Sequence, residues 1–147
     1  MSSKFLKLDR EVMKFFWRDI EPLFQKVVEQ QSYGRDSLEM IAMKIAEGTL
    51  EVWVSKGEDN IIQAVYCTSI IIYPAKRSLF WGYMAATDNK LNEWKDQMVK
   101  AVGRYAADTD CQTIEFFSKR KGWNKIFKKH RINFKPLGVL YEAELHE

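Results

Sequence analysis

The chain has 147 residues, 46% hydrophobic and 14% aromatic, which excludes a disordered chain and gives enough apolar mass for one domain spanning 1–147. Its 23 basic and 20 acidic residues leave a net charge of +3, too small to point to nucleic acid from charge alone. No apolar run approaches the ~20 residues that cross a bilayer, and the polar start carries no secretory signal, so a soluble, non-secreted protein is expected. Cys67 and Cys111 sit in apolar runs and read as reduced, buried thiols, while His130 and His146 offer no metal spacing.

Residues 4–8 read as a short strand or an extended arm. Asp9 then precedes a helical pattern (Val12, Phe15, Phe16, Ile20, Leu23, Phe24, Val27, Val28), in which Pro22 predicts a kink or a restart near Asp19. Asp36 with Glu39 makes a capping box for a second helix whose stripe is Leu38, Ile41, Ala42 and Ile45, ended by Gly48. Strands follow at 50–54 and 61–73, joined by a hairpin turn at 56–60; the second is apolar enough to be covered on both faces.

The stretch 78–123 is the most informative. A strand (79–86) leads through Thr87-Asp88-Asn89-Lys90 into a helix (91–107) whose buried face is Leu91, Trp94, Met98, Ala101, Val102 and Tyr105, with Lys95, Asp96, Lys100 and Arg104 opposite. A strand at 111–117, the basic run 118–122, a short helix at 123–130 and an alternating strand at 139–145 complete the chain. Hairpin strands followed by a strand–helix–strand crossover predict an α/β (α+β mixed) domain: a central mixed, mostly antiparallel sheet with helices on both faces. The crossover aims a helix N-terminus at the sheet's ligand edge, where a phosphate would sit.

This order resembles the GNAT fold of acyl-CoA-dependent N-acyltransferases over nearly the whole chain. The segments Gly48 to Val54 and Thr68 to Arg77 are similar to that family's second and third strands. Glu93-Trp94, Tyr105-Ala106, Cys111, Ile114-Glu115, Arg120-Lys121-Gly122-Trp123 and the run Leu140 to Leu145 resemble a narrower branch, small GNAT-like proteins encoded among bacteriophage virion genes. The resemblance implies a phosphate-binding turn after the fourth strand, here Ala86, Thr87, Asp88, Asn89 and Lys90, if coenzyme A binds.

Two departures from the family pattern follow. The turn has no glycine, which in the family lets the main chain approach a pyrophosphate, and Asp88 puts a carboxylate where a phosphate belongs. Thr87 and Asp88 also read simply as helix N-caps, and Lys90 as solvated. Many GNAT enzymes carry a proton-donating tyrosine on the helix after the fifth strand; Phe127 stands nearest that place here. Tyr141, Tyr83 or His130 can substitute as acid, and Glu115 as base if it faces a cleft rather than solvent.

Surface chemistry supplies the remaining candidates. Lys119, Arg120 and Lys121 crowd beside Trp123, and can meet an acidic protein, nucleic acid or solvent, with Trp123 in the core under the last reading. Phe15, Phe16 and Trp17 cannot all face one core, so Trp17 is a candidate contact residue. The sequence-level reading is therefore a non-catalytic GNAT-fold pseudoenzyme without a cofactor. It would bind other proteins, among them phage structural proteins, in the virion or host cytoplasm. The alternatives are an active N-acetyltransferase using acetyl-CoA and a small nucleic-acid-binding protein.

Overall fold

The computed structural model describes residues 5–31, 34–57, 59–117 and 123–145. Among them β1 (Leu6–Leu8), β2 (Glu51–Lys56), β3 (Ile62–Ile72), β4 (Arg77–Ala86) and β5 (Thr113–Glu115) form one sheet in the order β1-β2-β3-β4-β5. The first three pairings are antiparallel and β4–β5 is parallel. A parallel pair needs a crossover, and α3 (Leu91–Asp108) supplies it. Helices α1 (Arg10–Gln31) and α2 (Leu38–Ala46) intervene between β1 and β2, and α4 (Trp123–Lys129) follows β5.

The strands explain where the helices sit. Val52, Val54, Val65 and Cys67 point to one face and pack with Ile20, Phe24 and Ile41 of α1 and α2. Tyr66, Leu79 and Trp81 point to the other and pack with Met98, Val102, Trp123 and Phe127 of α3 and α4. Period-2 alternation thus feeds two apolar cores, which is why β3 is apolar on both sides. The architecture is the expected mixed, mostly antiparallel sheet with helices on both faces. No helix among the described residues is long and apolar enough to cross a membrane.

Several local expectations are corrected. Pro22 lies inside one continuous α1; it and Arg18, whose carbonyl loses its usual donor, are exposed, so water can serve that carbonyl. Ser37, not Asp36, caps α2, its Oγ accepting from the Met40 amide at 3.1 Å. Lys95 is buried rather than solvent-facing, with its ammonium 4.6 Å from the centre of the Trp123 ring. Cys67 is fully buried, which pushes its thiol pKa up, whereas Cys111 is only half-buried.

The strand expected at 139–145 does not form. Those residues are irregular and exposed, and pair with no strand among the described residues. Alternation says which faces a strand would show, not that a partner edge is within reach.

Candidate functional site

β4 and β5 are paired only at Ser78↔Thr113, Leu79↔Ile114 and Phe80↔Glu115. Beyond that point β4 runs on to Ala86 paired with β3 but not with β5, and α3 starts five residues later. The connecting turn, a 3-10 segment Thr87–Asn89, holds two successive residues in the left-handed region: Asp88 at φ 54° and Asn89 at φ 56°. Asp and Asn are the non-glycine residues that reach this region most readily, though still at a cost of about 1 kcal/mol each.

The turn is closed by the Lys90 amide donating to the Thr87 carbonyl at 3.0 Å. Among the described residues no side chain caps either the turn or α3, so Thr87 and Asp88 are not the expected N-caps. Asp88, Asn89 and Lys90 are exposed, and Lys26 of α1 donates to the Ala86 carbonyl at 3.4 Å. Uncapped amides at a helix N-terminus, with two lysines nearby, form an anion site. The turn reaches the left-handed region without glycine, but each of its residues keeps a Cβ, which a glycine turn would not place against a pyrophosphate. Lys26 and Lys90 suit an anion here, whereas the carboxylates of Asp88 in the turn and Glu93 in the first turn of α3 oppose one.

A second feature lies just upstream. Cys67 pairs with Gly82 and Val65 with Ala85, so Tyr83 and Met84 together oppose Tyr66: a β-bulge in β4. A Cβ at Gly82 would meet the tip of the Phe80 ring at 2.6 Å, so that ring would have to shift to admit a side chain. Tyr83 takes φ 54°, unusual for a bulky residue, and the bulge turns its ring toward α1 and α2. Its hydroxyl donates to Asp36 Oδ2 at 3.2 Å and accepts from Lys44 Nζ at 3.4 Å, while Lys44 lies 3.8 Å from Asp36 Oδ1. Burial first, then the Asp36 carboxylate, pushes the Tyr83 pKa well above the usual phenol value.

This phenol–carboxylate–ammonium cluster is half-buried and stands three residues before the turn. Of its members the sequence singled out only Tyr83, as one of three substitutes for the acid. The isolated Gly82 inside a strand was the signal for a bulge. Asp36 was read as a cap, which hid it.

Other predicted residues fall elsewhere. Glu115 is fully engaged: Tyr73 donates to Oε1 at 2.8 Å and Ser78 to Oε2 at 3.0 Å. The Glu115 bond raises the Tyr73 pKa. The strand partner of Glu115, Phe80, precedes Ala86 by six positions on β4, roughly 20 Å at ~3.3 Å per residue, so the structure does not bring Glu115 to the turn. Tyr141 is exposed and irregular, with nothing to position it as an acid. His130 binds Asp96 Oδ1 at 2.8 Å across the α3–α4 contact.

Trp123 is not a contact surface. It is buried edge-on to Trp81, 5.2 Å between ring centroids, and stacks with Phe127. Trp17 is half-buried against Phe24, and Phe15 is the exposed member of its trio. Lys119, Arg120 and Lys121 lie outside the described residues.

Solved structures share this architecture end to end. An aminoglycoside acetyltransferase from an uncultured soil metagenomic sample, in complex with sisomicin, superposes with a TM-score of 0.68 at 12% identity, covering 99% of this chain and 97% of its own. Glucosamine-6-phosphate N-acetyltransferase from Arabidopsis thaliana gives 0.66 at 10% identity, covering 98% and 100%. The fold is that of the GNAT acetyltransferases. A predicted acetyltransferase from Clostridium acetobutylicum, solved with acetyl-CoA, gives 0.62 at 13% identity over 96% of each chain. No family model matches the sequence, and no curated protein matches it. At these identities the GNAT likeness is one of fold.

Proposed function

We propose that this chain is a GNAT-fold N-acyltransferase that takes its acyl group from acetyl-CoA and delivers it to an amine. The observation that carries the reading is the uncapped, left-handed Thr87-to-Lys90 turn at the head of α3. On this reading the glycine-free turn is a working one rather than a decayed one.

On this reading the amides of residues 88, 89, 91 and 92, with the Lys90 and Lys26 side chains, hold the pyrophosphate. Bound acetyl-CoA supplies an acyl group activated as a thioester. The chain's own part is proton handling and orientation. Asp36 takes up the proton that the neutral acceptor amine sheds on attack, Tyr83 supplies a proton to the departing thiolate and is reprotonated from Asp36, and Lys44 limits the negative charge there. Tyr83 is protonated at neutral pH, as a phenol ordinarily is, and Asp36 fixes the direction of its O–H. Two of the structural neighbours are named for amino-sugar substrates, so amino sugars lead the acceptor panel.

Titration calorimetry with acetyl-CoA tests the reading. Micromolar affinity that is lost on charge reversal of Lys26 and Lys90 supports it; no heat at millimolar ligand overturns it.

One observation favours a second reading. Where β4 has parted from β5, the adjoining space on the α3 side is packed with Trp81, Phe116, Trp123 and Phe127, ring centroids 5.2–5.7 Å apart. A thioester arm entering there must displace aromatic rings. A non-catalytic protein-binding role, such as a component of a phage particle, follows if acetyl-CoA does not bind.

A further inference from the structure

Glu115 carries a charge that no described residue neutralises. Tyr73 and Ser78 hold its two oxygens, at 2.8 and 3.0 Å, and Ser78 is fully buried. Both donors are neutral hydroxyls, so they fix the direction of the carboxylate and leave its charge in place. Each oxygen also keeps an unused lone pair. None of the ion pairs among the described residues includes Glu115. Lys76 comes within 6.0 Å of the centre of the Tyr73 ring, yet makes no ion pair with this carboxylate. A half-buried, oriented carboxylate without a cation is a receptor for one.

The surroundings favour an organic ammonium over a metal ion. Phe80 is the strand partner of Glu115, and its ring packs on the α1 and α2 side of the sheet, so the carboxylate faces that side too. Tyr73, which bonds Glu115, and Phe117, two positions beyond it, are 38% and 58% exposed, which opens this end of the face to solvent. Aromatic rings beside a carboxylate suit an alkylammonium, through charge, cation–π attraction and apolar contact with its carbons. No group of three metal-ligating side chains exists among the described residues.

Phe80 also reaches the cluster around Tyr83: the two rings lie edge-on, 6.0 Å between centroids. Two carboxylates, each held by a tyrosine hydroxyl, thus share one side of the sheet, Asp36 with Tyr83 and Glu115 with Tyr73, and Phe80 links their neighbourhoods. Asp36 has Lys44 beside it; Glu115 has no such partner. We infer that Glu115 binds a second, non-reacting ammonium of the acceptor. The amine to be acylated lies at Asp36 and Tyr83, and the carbons between the two nitrogens cross Phe80. The inference rests on the acyl-transfer reading and narrows its acceptor to molecules with two or more amines. Tyr83 follows Phe80 by three residues, roughly 10 Å along β4, and the two nitrogens stand about that far apart. Fixing the far ammonium orients the near amine, so binding energy from a part of the substrate that does not react serves the part that does.

Calorimetric titration of the full chain, without acetyl-CoA, compares diaminooctane, whose extended length matches that separation, with octylamine, which has one amine. Diaminooctane is expected to bind about tenfold more tightly, as for one charged hydrogen-bonded contact. Glu115→Gln keeps the side chain's shape, removes its charge and is expected to bring the two ligands level. In the unaltered chain the carboxyl-carbon NMR resonance of Glu115 is expected to move as diaminooctane is added, and this decides the matter if Glu115→Gln fails to fold. A diamine bound no more tightly than octylamine, a preference that survives Glu115→Gln, or a Glu115 resonance indifferent to the diamine overturns the inference. Silence toward acetyl-CoA with diamine binding intact overturns the acyl-transfer reading instead and leaves the ammonium site standing.

Discussion

Tyr83 donates its hydroxyl hydrogen bond to Asp36 across 3.2 Å, joining the bulge of β4 to the residue before the cap of α2, 47 positions earlier. Ser37 takes over the capping of α2, which leaves the Asp36 carboxylate facing the sheet.

Replacing Tyr83 with Phe removes that hydroxyl and leaves Asp36 to Lys44 alone. A loss of about 1 kcal/mol in urea unfolding is expected, as for one hydrogen bond. Under the acyltransferase reading, turnover with an amino-sugar acceptor falls about 100-fold while KM for acetyl-CoA is unchanged. Unaltered turnover removes Tyr83 from the mechanism.

Asp88→Gly relieves one left-handed non-glycine residue and removes the carboxylate within the turn that opposes an anion. Acetyl-CoA binding measured by calorimetry is expected to tighten about five- to tenfold, close to 1 kcal/mol, with the gain shrinking as salt rises. Asp88→Ala separates the two effects, since it loses the charge but keeps a Cβ. Weaker binding in both variants means that the Asp88 side chain contributes to the site.

Trp123 is a core residue, so Trp123→Ala is expected to cost about 3–5 kcal/mol in urea unfolding. Trp123→Phe costs less and empties part of the ring cluster beside β4. If that variant binds acetyl-CoA more tightly than the parent, Trp123 is the ring that must move. A near-neutral Trp123→Ala would restore its reading as a surface contact.

Asp96 accepts hydrogen bonds from His130 and then Lys129, which together hold its carboxyl pKa below the ordinary value. A folded-state pKa lower than the unfolded one makes the ionised form the stabilising one. The contribution is therefore present above the unfolded value of ~3.9 and disappears as pH falls through the lower folded value. Asp96 is half-exposed, so solvent limits the effect to about 1 kcal/mol or less. Asp96→Asn is expected to be the less stable protein at neutral pH and to converge with the parent in acid; a gap independent of pH refutes the linkage.

Much of the fold was legible because its signals are local. The helical spacing of Leu91, Trp94, Met98 and Val102 and the apolar run of β3 each lie within one element. The candidate site was legible in position but not in character. Thr87 to Lys90 were placed at the turn between β4 and α3, where the structure has them, yet composition suggested side-chain caps where none forms among the described residues. Trp123 was ambiguous because a tryptophan beside lysines looks alike in a core and on a surface, and only Trp81 and Phe116 beneath it decide between them.

By itself the sequence determined the elements as far as α4, their order and the two-faced sheet, since periods of 2 and 3.6 residues are set by the local backbone. Only the tertiary structure decided that Asp88 and Asn89 turn left-handed, that Tyr83 meets Asp36, and that residues 139–145 stay unpaired. Those outcomes depend on register between distant strands. One extra residue in β4 opposite Tyr66 redirects a side chain from one face to the other, and no local pattern records which partner it then finds.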